Sequence, residues 1–189
     1  VTVKRFGRKT LKTPDFKPYT RNPSMTATQN TVTIRPGTPD DVPAMMRLVR
    51  ELAEYEKAPN EVENTEAQML ADGFGPNPVY GLLVAEVGGE VVGISVYYYR
   101  YSTWKGKRLY LEDIVVTEQQ RGKQIGAMLM EATMRVSLEK GCNGMVWQVL
   151  DWNEPAIRFY KRYNASFDGE WVNVSLSRSQ IEALVASRK

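Results

Sequence analysis

Glu112 and Asp113 stand side by side inside an apolar run, LYLEDIVV, that spans residues 109–116. Adjacent carboxylates in such a run are costly to bury unless they are paired or used. In a cleft, one of them binds an alkylammonium and collects its proton through water. At a strand end, both simply reach solvent. Farther along, Asn153 precedes a helical pattern that carries Tyr160 seven residues on, so the two share a face two turns apart. A phenol placed there can donate a proton to a departing thiolate, although Ile157, Tyr160 and Tyr163 also read as an ordinary buried stripe. Between these groups lies Arg121-Gly122-Lys123-Gln124-Ile125-Gly126. Glycines between a strand and a helix let the backbone approach a phosphate, and the first-turn N–H groups point at it. Arg121 and Lys123 add positive charge. By itself the loop is equally an ordinary strand–helix turn.

Composition narrows the chemistry. The chain of 189 residues has no histidine and one cysteine, Cys142. That excludes Ser-His-Asp and Cys-His nucleophilic sites, imidazole zinc sites and intrachain disulfides. No metal is expected. Any general base is a carboxylate, a lysine, a tyrosine, a backbone group or a water chain. A lone cysteine fits a reducing compartment, and a cytoplasmic location is expected. No apolar run is long enough for a membrane span. Residues 1–24 hold seven Lys or Arg and one Asp, a net +6, so the remainder carries −3 of the total +3. Residues 1–30 lack an apolar core and a sustained period, which predicts a flexible basic extension ahead of a domain at 31–189.

The elements that would position these groups follow from periodicity. Thr31–Arg35 reads as a strand. Val42, Met45, Met46, Val49, Leu52 and Ala53 recur at helical spacing after Pro39-Asp40-Asp41. Asn64 is expected to cap a short helix that Gly73 and Gly75 end. Gly88-Gly89 joins two strands, Tyr80–Val87 and Val91–Ser102, as a hairpin. Leu109–Thr117 is the next strand. Plain alternation there puts Leu109, Leu111, Asp113 and Val115 on one face and Tyr110, Glu112, Ile114 and Val116 on the other. A helix over Gly122–Lys140, a strand over Gly144–Leu150, a helix over Asn153–Tyr163, a strand over Trp171–Ser177 and a terminal helix over Ser179–Ser187 complete the order. It predicts an α/β (mixed α+β) fold, with a mostly antiparallel central sheet of about seven strands flanked by helices.

LEDIVV, the loop and WNEPAIRFY in this order resemble the acetyl-CoA motif of the GNAT superfamily of N-acetyltransferases. Its loop reads Gln/Arg-x-x-Gly-x-Gly/Ala; Arg121 fills the first place, Gly126 the last, and Gln124 replaces the middle glycine. Gln124 is harmless if that position is already helical, which is the expectation. The segments RLVRELAEYEKAPNEVENT, MLADGFGPNPVYGLLVAEV, YYYRYSTWKGKRLYLEDIVV and LDWNEPAIRFYKRYNAS are similar to the spermidine/spermine acetyltransferase branch, including its thialysine acetyltransferases.

The resemblance implies direct acetyl transfer from acetyl-CoA to a primary amine. It assigns the amine to Glu112, the general acid to Tyr160, and cofactor contacts to Ile114, Val115, Val116, Arg121, Gly122, Lys123, Gln124, Ile125, Gly126 and Ala127. Asn153, Glu154, Pro155 and Ala156 continue that site. Tyr55, Glu56, Ser102, Trp104 and Asp113 are expected to contact the acceptor, with Arg47 as a further wall residue. Polyamine-acetylating members carry an acid where this chain has Ser102, so a lysine-like amino acid or short diamine is expected over spermine. The likeness also implies a homodimer. Other readings are an enzyme for a protein or antibiotic amine, a non-catalytic acyl-CoA sensor, and a nucleic-acid partner acting through the basic extension, which is the least expected.

Overall fold

The protein is seen in a computed structural model that describes Tyr19–Thr20, residues 31–170 and residues 172–187. Among these residues the chain forms two compact units that divide after Gln148.

The first unit is built on one sheet. Its strands are β1 (Tyr19–Thr20), β2 (Val32–Pro36), β3 (Gly81–Val87), β4 (Glu90–Ser102), β5 (Gly106–Val116) and β6 (Met145–Val146), in sequential order. All neighbours are antiparallel except β5 and β6, which run parallel. β1 falls within the stretch expected to be an extension; the rest of residues 1–30 lies outside the described residues. The β3–β4 hairpin closes as Gly88-Gly89 predicts, with φ of +59° and +87° at the two turn positions. That is the geometry whose twist matches flanking strands. No helix among the described residues is long and apolar enough to cross a membrane.

Helix α1 (Val42–Tyr55) buries Val42, Met45, Met46 and Leu48 in one cluster with Val84, Ile94, Val96 and Val115. Helix α2 (Glu66–Phe74) adds Met69 to it. Thr65, not Asn64, caps α2, its Oγ1 accepting from the Gln68 amide at 3.2 Å. Gly73 does not end the helix; it lies within it, where a Cβ would meet the Tyr80 ring at 2.3 Å. The opposite side of the sheet is covered by α3 (Ile125–Glu139), which buries Ile125, Met128, Leu129, Met130, Ala132 and Val136. A buried Ser95–Thr133 hydroxyl pair at 2.7 Å joins β4 to that helix. Each buried Val, Leu, Ile or Met side chain, removed from water, contributes about 1.5–3 kcal/mol before entropy is counted.

Plain alternation fails in β5. Tyr97 pairs with Leu111 and Val96 with Asp113, so Glu112 is an extra residue, a β-bulge. Asp113 and Val115 therefore lie on the α1 side, while Leu109 and Leu111 lie on the α3 side, instead of all four sharing a face. Val115 belongs to the α1 cluster, as that register requires.

The second unit carries α4 (Glu154–Lys161) and α5 (Arg178–Ala186). The strand expected over Trp171–Ser177 does not form at residues 172–177, where Val172 and Val174 stay exposed; Trp171 is outside the described residues. The strand expected over Gly144–Leu150 is only Met145–Val146. Among the described residues the sheet has six strands, five of them from Val32 onward, rather than about seven.

Candidate active site

The bulge decides how the carboxylates of β5 are presented. Glu112 is exposed, and Asp113 is half-buried on the α1 side. Burial first, then the charges of Glu112 and Glu56, push the Asp113 carboxyl up to about 6. Glu56 follows the last residue of α1, and burial raises it too. Three acids from two elements thus share one field. Beside them Tyr98 of β4 stacks on Tyr110 of β5, with centroids 4.9 Å apart and 26° between planes. Burial raises both phenols, and the Glu112 charge adds to it. The Tyr110 hydroxyl donates to Gln148 Oε1 at 2.8 Å. Carboxylates beside aromatic faces form a site for an ammonium. Tyr98, Tyr110 and Gln148 were not singled out in the sequence. Counting the β4–β5 register from its turn would have paired the two tyrosines.

Ser102 and Trp104 stand elsewhere, at the tip of the β4–β5 hairpin. Ser102 Oγ accepts from the Lys105 amide at 3.1 Å, and Trp104 is 87% exposed. Roughly 20 Å of strand separates Gly106 from Glu112, so one chain does not bring these two residues to the carboxylates. Arg47 is committed to the sheet, its Nη2 donating to the Val91 carbonyl at 2.7 Å.

The loop after β5 is held by a residue that sequence reasoning missed. Glu51 of α1 accepts from the Glu118 amide at 2.7 Å and from Thr117 Oγ1 at 2.9 Å. A single glutamate within a helical pattern carries no sequence signal for such a role. Arg121 donates from Nε to the Val116 carbonyl at 3.0 Å, and its guanidinium lies 5.4 Å from the centre of the Tyr55 ring. Lys123 Nζ donates to Gln120 Oε1 at 2.8 Å. Gln124 is not helical as expected. It sits at the start of α3 with φ +64° and ψ +7°, the left-handed region that favours glycine. A side chain there costs about 1 kcal/mol. The Gln124 side chain does not cap α3, and the first amides, at Ile125, Gly126 and Ala127, have no acceptor inside the helix.

β6 pairs with β5 only at Leu109 and Tyr110. From Leu111 to Val116 the outer edge of β5, including Ile114, Val115 and Val116, has no strand neighbour among the described residues. A helix start whose amides lack intrahelical acceptors, beside a strand edge with no described strand neighbour, fits a pyrophosphate joined to an extended, amide-bearing arm.

In the second unit, Asn153 caps α4, its Oδ1 accepting from the Ala156 amide at 3.2 Å, with Glu154 and Pro155 in the first turn. Asn153 and Tyr160 are both buried, and Phe159 meets Tyr160 edge-on at 5.3 Å. Among the described residues no group of three or more His, Cys, Asp or Glu side chains is placed to hold a metal.

The sequence profile of the acetyltransferase (GNAT) family matches residues 44–165. The chain is a GNAT acetyltransferase. It is an acetyl-CoA-dependent amine N-acetyltransferase. The acetyltransferase is 44% identical over 142 residues to the thialysine N-epsilon-acetyltransferase of Bos taurus, covering 71% of this chain and 84% of the relative. It is 38% identical over 134 residues to the human spermidine/spermine N(1)-acetyltransferase-like protein 1, covering 67% of this chain and 19% of that longer protein. A solved aminoglycoside N-acetyltransferase, AAC(6')-Iy in complex with CoA, shares the fold. Its TM-score is 0.65 at 18% identity, over 82% of this chain and 99% of that one.

Proposed function

We propose that this acetyltransferase acts on the distal primary amine of a small lysine-like amino acid, diamine or polyamine, with the thialysine type favoured. The observation that carries the reading is the shared field of Glu56, Glu112 and Asp113 beside the stacked Tyr98–Tyr110 pair. The names of the relatives, a thialysine N-epsilon-acetyltransferase and a spermidine/spermine N(1)-acetyltransferase-like protein, support it.

Acetyl-CoA supplies the thioester carbonyl. The backbone of Gly122–Ala127, flanked by Arg121 and Lys123, would hold its pyrophosphate, and Asn153–Ala156 would continue that site. Amides at Ile114–Val116 align the arm and polarise the carbonyl. Glu112 anchors the acceptor ammonium, with Glu56, Asp113 and Tyr55 around it. An alkylammonium with a pKa of about 10 must lose a proton before it attacks, and water beside Glu112 removes it. Tyr160 gives a proton to the departing thiolate. A homodimer, to be read by light scattering, and a cytoplasmic location belong to the same reading.

The test is acetyl-CoA-dependent thiol release with thialysine, lysine, diaminopropane, putrescine, spermidine and spermine. Turnover of lysine-like acceptors or short diamines above spermine is expected; spermine with the highest kcat/KM would overturn that preference. Acetyl-CoA binding without turnover of any amine would favour a sensor. Tyr160→Phe should lower kcat roughly 100-fold with little change in acetyl-CoA affinity, and an intact kcat would remove Tyr160 from the acid role.

A further inference from the structure

Beyond the tyrosine pair, the ladder sets Arg100 of β4 directly opposite Arg108 of β5. Both stand two positions from the Tyr98–Tyr110 pair, and so on the same α1-side face. Like charges opposite each other on a sheet destabilise it. Arg108 donates from Nη2 to the Met145 carbonyl at 2.7 Å, but its buried Nε has no hydrogen-bond partner among the described residues. Arg100 is exposed and has no hydrogen bond or ion pair with another described residue. Its charge reaches both tyrosine rings, where it opposes that of Glu112.

The face therefore runs from carboxylates, over two stacked rings, to two guanidiniums, across roughly 12 Å of strand. That order matches a zwitterion with its reacting ammonium at one end and a carboxylate at the other. A diamine or polyamine instead brings a second cation toward Arg100, which repels it. Guanidinium is the side chain best suited to a carboxylate, because two parallel N–H groups meet its two oxygens. Arg100, exposed and without a hydrogen-bond partner among the described residues, supplies the donors such a carboxylate would complete, and the Arg108 guanidinium behind it adds a second positive charge.

We propose that Arg100, backed by Arg108, anchors the α-carboxylate of the acceptor and makes this acetyltransferase selective for a diamino acid over a diamine of equal length. The proposal rests on the amine-acetylation reading above. It also moves the discrimination from Ser102, at the hairpin tip, to a pair of residues beside the aromatic wall.

Lysine and 1,5-diaminopentane differ by the carboxylate alone, so they are the probes. In Arg100→Ala, the KM for lysine should rise about tenfold with kcat largely kept, while the KM for 1,5-diaminopentane should fall as repulsion is relieved. Arg100→Lys should restore part of the lysine affinity. Calorimetric titration of both amines gives the same comparison without turnover. If both amines shift together, or neither shifts, the anchor is wrong while amine acetylation stands. If the unaltered enzyme neither binds nor acetylates either amine, the amine reading itself fails and takes the anchor with it.

Discussion

Asp113 combines a strand position with a cost. Its carboxyl titrates near 6, above the ordinary 3.8, because burial and two neighbouring acids oppose its charge. Between those values the folded protein binds more protons than the unfolded chain, so this group makes stability fall as pH rises through that window. Above pH 6 the full penalty applies, roughly 3 kcal/mol at most. Asp113→Asn should raise Tm at pH 7–8 more than at pH 4; an equal rise at both would show that burial and the charges of Glu112 and Glu56 do not raise this carboxyl. The same variant should flatten the loss of amine affinity below pH 6, since a protonated Asp113 no longer draws an ammonium. Gln124 is a second local cost. With φ at +64°, Gln124→Gly should stabilise the protein by about 0.5–1 kcal/mol, read as a higher Tm. No change would mean that the glutamine side chain repays its strain through its other contacts. The residue type at 124 was visible in the sequence as a departure from the loop pattern. Its backbone conformation was not, because a turn's φ depends on where strand and helix are fixed.

At the scale of elements, the loop proposed to hold the cofactor belongs as much to α1 as to the strand and helix that flank it. Glu51 takes two hydrogen bonds from Thr117 and Glu118, and Arg121 closes over Tyr55 from the same helix. Glu51→Ala should cost about 1–3 kcal/mol of stability and weaken acetyl-CoA binding in calorimetry, with Glu51→Gln intermediate. Unchanged affinity in Glu51→Ala would mean that the loop keeps its shape without this tie. The sequence shows α1, its apolar stripe and the Gly88-Gly89 hairpin plainly, since each is written in a local period or a turn requirement. It is silent on Glu51, whose partners lie more than sixty residues away. The alternation of residues 172–176 reads as a strand, yet a strand exists only when another pairs with it, and none does among the described residues.

Across the whole molecule, the order of elements and the family follow from segments that sequence reading isolates, while the inner geometry of the proposed acceptor site does not. The bulge is the reason. Without Glu112, Leu111 and Asp113 would be consecutive, and their partners Tyr97 and Val96 are already consecutive on β4. Every other side chain of β5 would keep its side of the sheet, and both cores would remain filled. The loss of a single codon would turn an interrupted strand into a regular one and leave a well-folded protein without the carboxylate proposed to anchor the amine. Ancestry and chemistry are thus separable here: a relative can carry the entire architecture and differ in activity through one residue that the architecture never required.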